Sequence, residues 1–128
     1  QSESYNYELK DHEIDAKYIS AELILYCLEK LGANPGMKLF EIGFGEGFLL
    51  HTARQRGYAI RGVDYSTDQV YKGNTGLDGY IQSSQNPLVT FTDYSDTPDI
   101  VCMQHVVEHV PDPERLLETL AKKIKKNG

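Results

Sequence analysis

The sequence predicts an α/β fold built on a doubly wound parallel sheet, and three observations carry that prediction. Segments with helical spacing alternate with short apolar runs in the order helix, strand, helix, strand, helix, strand, strand, helix, as expected of parallel strands joined by crossovers. The run Leu39-Phe40-Glu41-Ile42-Gly43-Phe44-Gly45-Glu46-Gly47-Phe48-Leu49-Leu50 is an apolar strand, an acid near its end, three glycines at alternate positions and a helix start. A second strand, Tyr58-Ala59-Ile60-Arg61-Gly62-Val63, ends directly on the acid Asp64.

Residues 1–16 are polar and acidic and read as an irregular N-terminal arm; 17–128 read as one domain. From Lys17 to Leu31, the residues Ile19, Leu23, Ile24, Cys27, Leu28 and Leu31 recur at helical spacing, and Gly32 followed by Asn34-Pro35-Gly36 stops that helix. Lys38 to Ile42 is the first strand. The next helix runs from Gly47 to Gln55 with Leu49, Leu50 and Ala53 inward, and Gly57 ends it. Ser66 with Gln69 three residues later has the form of a capping box, which starts a helix that fades before Gly73-Asn74.

Two segments compete for the third strand, Gly79 to Gln82 and Leu88 to Thr92, and the first is preferred. Asp99-Ile100-Val101-Cys102-Met103 is a buried fourth strand. Asp112 then caps a last helix with Pro113 at its first position, with Leu116, Leu117, Leu120, Ala121 and Ile124 facing inward. The lysines at 122, 123, 125 and 126 suit a helix C-terminus, where the dipole favours cations. Right-handed crossovers place the strands in the order 3-2-1-4, with Ile42, Val63, Cys102 and Met103 buried. The switch point between the first and fourth strands then gathers Gly43 to Gly47, Asp64 and Gln104 around one crevice.

Composition narrows the function classes. A net charge of −6 disfavours a surface that tracks phosphates, so nucleic acid is not the expected partner. No apolar run approaches membrane-spanning length, and none has the layout of a signal peptide. Cys27 and Cys102 have no paired spacing and read as buried thiols in a reducing compartment, the cytoplasm.

The glycine run with its two flanking acids points to a nucleoside cofactor. Glycines at alternate positions strip side chains from the turn, so a ligand can lie against backbone amides. A carboxylate closing the second strand can accept both hydroxyls of a ribose. A nicotinamide fingerprint requires a third glycine where Phe48 stands, and its pyrophosphate would meet the charge of Glu46. A cofactor with a cationic centre and no phosphate meets neither objection.

The residues Glu41-Ile42-Gly43-Phe44-Gly45-Glu46-Gly47 closely resemble the first motif of the class I S-adenosylmethionine (SAM)-dependent methyltransferases, and Asp64 resembles the acid that ends their second strand. The run Asp99 to Pro113, with Glu108-His109-Val110-Pro111-Asp112 at its end, resembles the fourth strand and following turn of the small-molecule members. The resemblance covers roughly Leu39 to Gly128 and implies a Rossmann-like domain. It implies SAM as cofactor, a small-molecule acceptor and methyl transfer. It implies that amides near Gly43, Phe44, Gly45 and Gly47 hold the methionine end and that Glu41 acts through water or backbone contacts. Asp64 would bind the ribose, Tyr65 would pack on the adenine, and Gln104 would lie beside the methionine part. His105 would face the acceptor pocket and is the candidate general base where the acceptor must lose a proton. The residue that reads the adenine amine falls on Ser83, or on Asp93 in the other strand register, where the family usually has an acid.

Two other readings come from the same residues. His105, Glu108 and His109 match an inverted zinc motif, but Pro111 and Pro113 leave little helix to hold the pair and no further ligand is evident. The family's sheet also continues beyond the fourth strand. On that ground these 128 residues are truncated before the fifth strand, or form half of an assembly such as a homodimer, or are a non-catalytic methyltransferase-like binding module.

Overall fold

The computed structural model describes residues 10–104 and 112–125. The elements are α1 (Asp11–Lys30), β1 (Lys38–Ile42), α2 (Phe48–Gln55), β2 (Ala59–Asp64), β3 (Ile81–Ser83), α3 (Pro87–Asp93), β4 (Ile100–Met103) and α4 (Pro113–Lys125). The four strands form one sheet in the order β3-β2-β1-β4, and every neighbouring pair is parallel. Both the order and the direction are those expected from the crossover rule.

Helix α1 begins at Asp11, so the irregular arm does not extend to residue 16 as expected. The reason is local: Asp11 and Glu13 lie in the first turn, where the dipole favours acids, and Glu13 Oε1 accepts from the Lys10 amide at 2.9 Å. At the other end the amide of Ala33 reaches Leu28 O (2.9 Å) and that of Gly32 reaches Glu29 O (3.1 Å), a Schellman closure that needs the positive φ of Gly32.

The buried face of α1 also differs from the expected one. Ala21 and Leu25 are buried, with Ile14, Tyr18, Ile24 and Leu28 against the same core, whereas Ile19, Leu23, Leu31 and Cys27 lie exposed. Two apolar stripes compete on this helix. The one through Ala21 wins because small Ala21 permits close approach and Tyr18 packs edge-on to Phe48 of α2 at 4.8 Å. Cys27 is thus an exposed thiol rather than a buried one.

Side chains alternate across β1. Leu39 joins the core under α1 and α2, while Phe40 and Ile42 join Val63, Phe91 and Leu120 on the opposite face. Glu41 therefore shares its face with Leu39 and points to the α1 side. Ile42 and Val63 are fully buried; Cys102 and Met103 are half-buried, less than expected. In α4, Asp112 caps the Arg115 amide at 3.1 Å as expected, and Leu120 is buried. Leu117 and Ala121, four residues apart, share a flank that faces solvent, so the inward stripe is narrower than expected. The side chains of Leu116 and Ile124 lie outside the described ones.

The segment between β2 and β3 holds the largest departure. No helix starts at Ser66; its Oγ accepts from the Asp68 amide at 3.0 Å, a two-residue turn that competes with helix capping. The Tyr71 amide bonds Glu46 O (2.9 Å), which draws the segment over the glycine turn. A helix stands instead between β3 and β4. Residues 88–92, the rejected strand candidate, belong to α3, with Asn86 capping Val89 N and Pro87 at the first position. The third strand lies near the preferred segment, shifted to Ile81–Ser83.

Candidate cofactor site

The strands β1, β2 and β3 deliver Ile42, Asp64 and Ser83 to one end of the sheet, and β4 delivers Met103 and then Gln104. Between this end and α1 lies a cleft of about 370 Å³. Glu41, Gly43, Phe44, Gly45, Gly47 and Gln104 line it, so six of the residues singled out in the sequence meet there. Lys17 and Ser20 of α1 form the facing wall; nothing in the local sequence pattern marks them.

The turn is held open by three left-handed glycines, with φ of 80°, 55° and 87° at Gly43, Gly45 and Gly47. Their amides, however, do not face the cleft as expected. Gly43 N donates to Val63 O (2.8 Å), Gly45 N to Asp64 Oδ2 (2.8 Å) and Gly47 N to Phe44 O (2.9 Å). The glycines set the backbone path, and the amides of Phe44 and Glu46 are the ones without a protein partner among the described residues. The Phe44 side chain is buried and belongs to the core.

Asp64 is half-buried and joins the site through the turn. Its Oδ2 receives the Gly45 amide and its Oδ1 the Tyr65 amide at 2.6 Å. A carboxylate offers about four acceptor positions, so two remain for a diol. Tyr65 is 71% exposed at the rim, outside the cleft lining. Ser83 pairs with Asp64 in the β2–β3 ladder and is exposed, also outside the cleft. The alternative adenine reader, Asp93, is the last residue of α3. His105, Glu108 and His109 lie outside the described residues.

Glu41 is the electrostatic centre of the site. It is 1% exposed, in ladder positions between Gly62 of β2 and Cys102 of β4. Its Oε2 accepts from Gln104 Nε2 at 3.1 Å, and its Oε1 has no hydrogen-bond partner among the described residues. Burial, with the Asp64 charge adding to it, pushes the carboxyl up to about 8, against the opposing bond from Gln104. The same burial, and then Glu41, pushes the Cys102 thiol up to about 12. An unsatisfied buried acid of this kind fits a ligand that brings a donor or a positive charge. Glu46 does not stand as a bare charge; its Oε1 pairs with Lys17 Nζ at 3.0 Å across the mouth of the cleft.

A buried asparagine, unremarked in the sequence, latches the glycine turn. Asn74 is 3% exposed; it receives Tyr18 Oη at 2.5 Å and donates to Glu46 O at 2.9 Å, tying α1, the 66–80 segment and the turn together. A buried polar residue next to Gly73 gives no periodic signal, so only contact reveals it.

A glycine turn at the C-terminal ends of parallel strands, at the point where winding reverses between β1 and β4, defines a Rossmann-like domain. Within that class the chain belongs to the methyltransferase domain family, whose model matches residues 11–128. Ubiquinone biosynthesis O-methyltransferase of Photorhabdus laumondii subsp. laumondii is 28% identical over 109 residues, covering 80% of this chain and 45% of that protein. The chain thus spans about half the length of the curated relatives it matches. The fold is similar to magnesium protoporphyrin IX methyltransferase of Synechocystis PCC 6803 solved with bound SAM, at a TM-score of 0.62 and 18% identity, over 91% of this chain and 60% of that one. It is equally similar to coclaurine N-methyltransferase bound to N-methylheliamine and S-adenosylhomocysteine (SAH), at a TM-score of 0.63 and 22% identity, over 92% of this chain and 35% of that one. No helix among the described residues is long and apolar enough to cross a membrane.

Proposed function

We propose that this chain is the cofactor-binding part of a SAM-dependent methyltransferase that acts on a small molecule. The observation that carries the reading is the Oε1 of buried Glu41, unpartnered among the described residues, beside the glycine turn. A buried acid there favours the ammonium of a methionine moiety and opposes a pyrophosphate. Family membership and the acceptors named for the similar proteins, both small molecules in the two solved structures, support the same class.

When bound, the cofactor supplies a methyl carbon made electrophilic by its sulfonium, and the protein mainly positions two molecules. The remaining two acceptor positions of Asp64 take the ribose hydroxyls, while its bonds to Gly45 N and Tyr65 N keep the carboxylate oriented. Phe44 and Glu46 offer amides to the ligand, and the glycines keep side chains out of its path. Gln104 fixes Glu41 and borders the methionine end. Tyr65 and Ser83 stand on the adenine side, at the ends of β2 and β3. His105, the residue after Gln104, takes the proton of an acceptor that must lose one. Unpaired Cys27, exposed, and Cys102, half-buried, fit a reducing cytoplasm.

Isothermal titration of the full chain with SAM, SAH and NAD tests the reading. Binding of SAM and SAH in the micromolar range, with NAD weaker, is the expected result. No binding of either sulfur nucleoside at millimolar concentration, or tighter binding of NAD, refutes it.

A further inference from the structure

Glu41 carries a consequence beyond the presence of a cofactor. Its two oxygens are unequally served: Oε2 has Gln104, and Oε1 has no partner among the described residues. Among the described residues the surroundings supply no counter-charge. From β2 comes Asp64, a second acid. From β4 comes Cys102, a half-buried thiol. From the glycine turn comes Glu46, and from α1 Lys17, the one cation among the described residues that line the cleft, which is committed to Glu46 at 3.0 Å. The other α1 residues lining the cleft, Ser20, Ala21 and Ile24, are uncharged. An ionised carboxylate at this depth has one neutral hydrogen bond and a like charge nearby, which favours keeping the proton.

Resting on the reading above, we propose that Glu41 stands as the neutral acid in the free protein and binds the ligand's α-ammonium directly as the carboxylate, so that cofactor binding releases a proton to solvent. The balance is simple. The O–H bond of Glu41 breaks, its electron pair stays on the carboxylate, the ammonium keeps its own proton and pairs with Oε1, and the released proton goes to buffer. No covalent bond forms to the ligand. The site thereby selects for a cation, since a neutral ligand gains nothing from ionising Glu41. Apparent affinity rises with pH, nearly tenfold per unit below the titration of free Glu41, and levels off above it.

The test is titration of the full chain with SAH at pH 7 in two buffers of different ionisation enthalpy. With Glu41 titrating near 8 in the free protein, about nine-tenths of a proton is released per ligand at that pH. 5′-Methylthioadenosine, which lacks the amino acid part, should bind with no release. Glu41→Gln should abolish the release and narrow the affinity gap between the two nucleosides at least tenfold. A carbon-detected NMR titration of glutamate carboxyls in the unliganded wild-type protein covers the case in which that variant fails to fold. One carboxyl should titrate near 8 and move to the ordinary range with SAH bound. Heats of SAH binding that do not depend on buffer, or no glutamate titrating above pH 7, overturn the proposal and leave the methyltransferase reading intact. Failure of both nucleosides to bind overturns that reading and this proposal with it.

Discussion

Substituting Gly47 by alanine separates the structural from the ligand-facing role of the glycine turn. Gly47 has φ +87°, and a Cβ there would lie 2.8 Å from Leu77 Cδ1 and 3.6 Å from Val70 Cγ1. Leu77 is 2% exposed, so it cannot swing into open space. Left-handed backbone costs an alanine about 1–2 kcal/mol, and the stiffer unfolded chain returns about 0.4–1 kcal/mol. Crowding a packed leucine adds about 1–3 kcal/mol. The net loss for Gly47→Ala is about 1–5 kcal/mol, centred near 3. Gly45→Ala is the control: φ is +55° and nothing lies within 4 Å of its Cβ, so only the first two effects act, about 1 kcal/mol of loss. Urea unfolding followed by circular dichroism reads both, as a lower midpoint at unchanged m-value. The ligand assay should rank them the other way relative to stability. Gly45→Ala puts a methyl group in the cleft lining and should weaken SAH binding more than its small stability loss accounts for. Equal destabilisation by the two substitutions, or a loss below 1 kcal/mol for Gly47→Ala, would refute the argument from close approach to Leu77.

Three further outcomes are expected. Asn74→Ala should cost about 1–3 kcal/mol by leaving buried polar groups unpaired, and a double-mutant cycle with Tyr18→Phe should show coupling of about 1 kcal/mol through their 2.5 Å bond; strict additivity would mean the latch is not a unit. Hydrogen bonds from Arg56, and then from Tyr58, hold the Glu29 carboxyl below its ordinary 4.5. A lowered pKa contributes stability that is present above the ordinary value and lost as pH falls through the lowered one, so the stability deficit of Glu29→Gln at pH 7 should shrink in acid; a deficit independent of pH would exclude the ion pair as its source. For binding, Asp64→Ala should weaken SAH roughly 10- to 100-fold, the loss of a charged acceptor, while Ser83→Ala, exposed and outside the cleft, should stay within about twofold; the reverse order in a titration would move the nucleoside site.

Much of the fold was legible because it rests on short-range rules. Alternate glycines after Ile42, an acid closing β2, and Asp112 ahead of Pro113 each act within a few residues, and each appears where it was expected. The errors arose where two short-range rules disagreed. Ser66 has both a capping partner at Gln69 and a turn partner at Asp68, and the turn prevailed because the Tyr71 amide is taken by Glu46 O. Residues 88–92 carry β-branched side chains, yet Asn86 and Pro87 make them a helix whose Phe91 packs edge-on to Phe40 at 4.9 Å. On α1, two stripes of similar strength could not be ranked without knowing that α2 would pack against Ala21.

By itself the sequence determined the glycine turn, its two flanking acids, the parallel order of the strands and the end of the sheet at which the cleft forms. Periodicity, capping and the φ preference of glycine are properties of neighbouring residues, so no tertiary contact is needed to read them. Only the tertiary structure decided what those acids are. Glu41 is buried and half-satisfied because Gln104, 63 residues away, reaches one oxygen and no described residue reaches the other. Asp64 orients the turn because Gly45, 19 residues earlier, presents its amide to it. Burial and hydrogen-bond closure depend on segments far apart in the chain that meet only when the sheet assembles, and they set the charge state on which the proposed chemistry of the cleft depends.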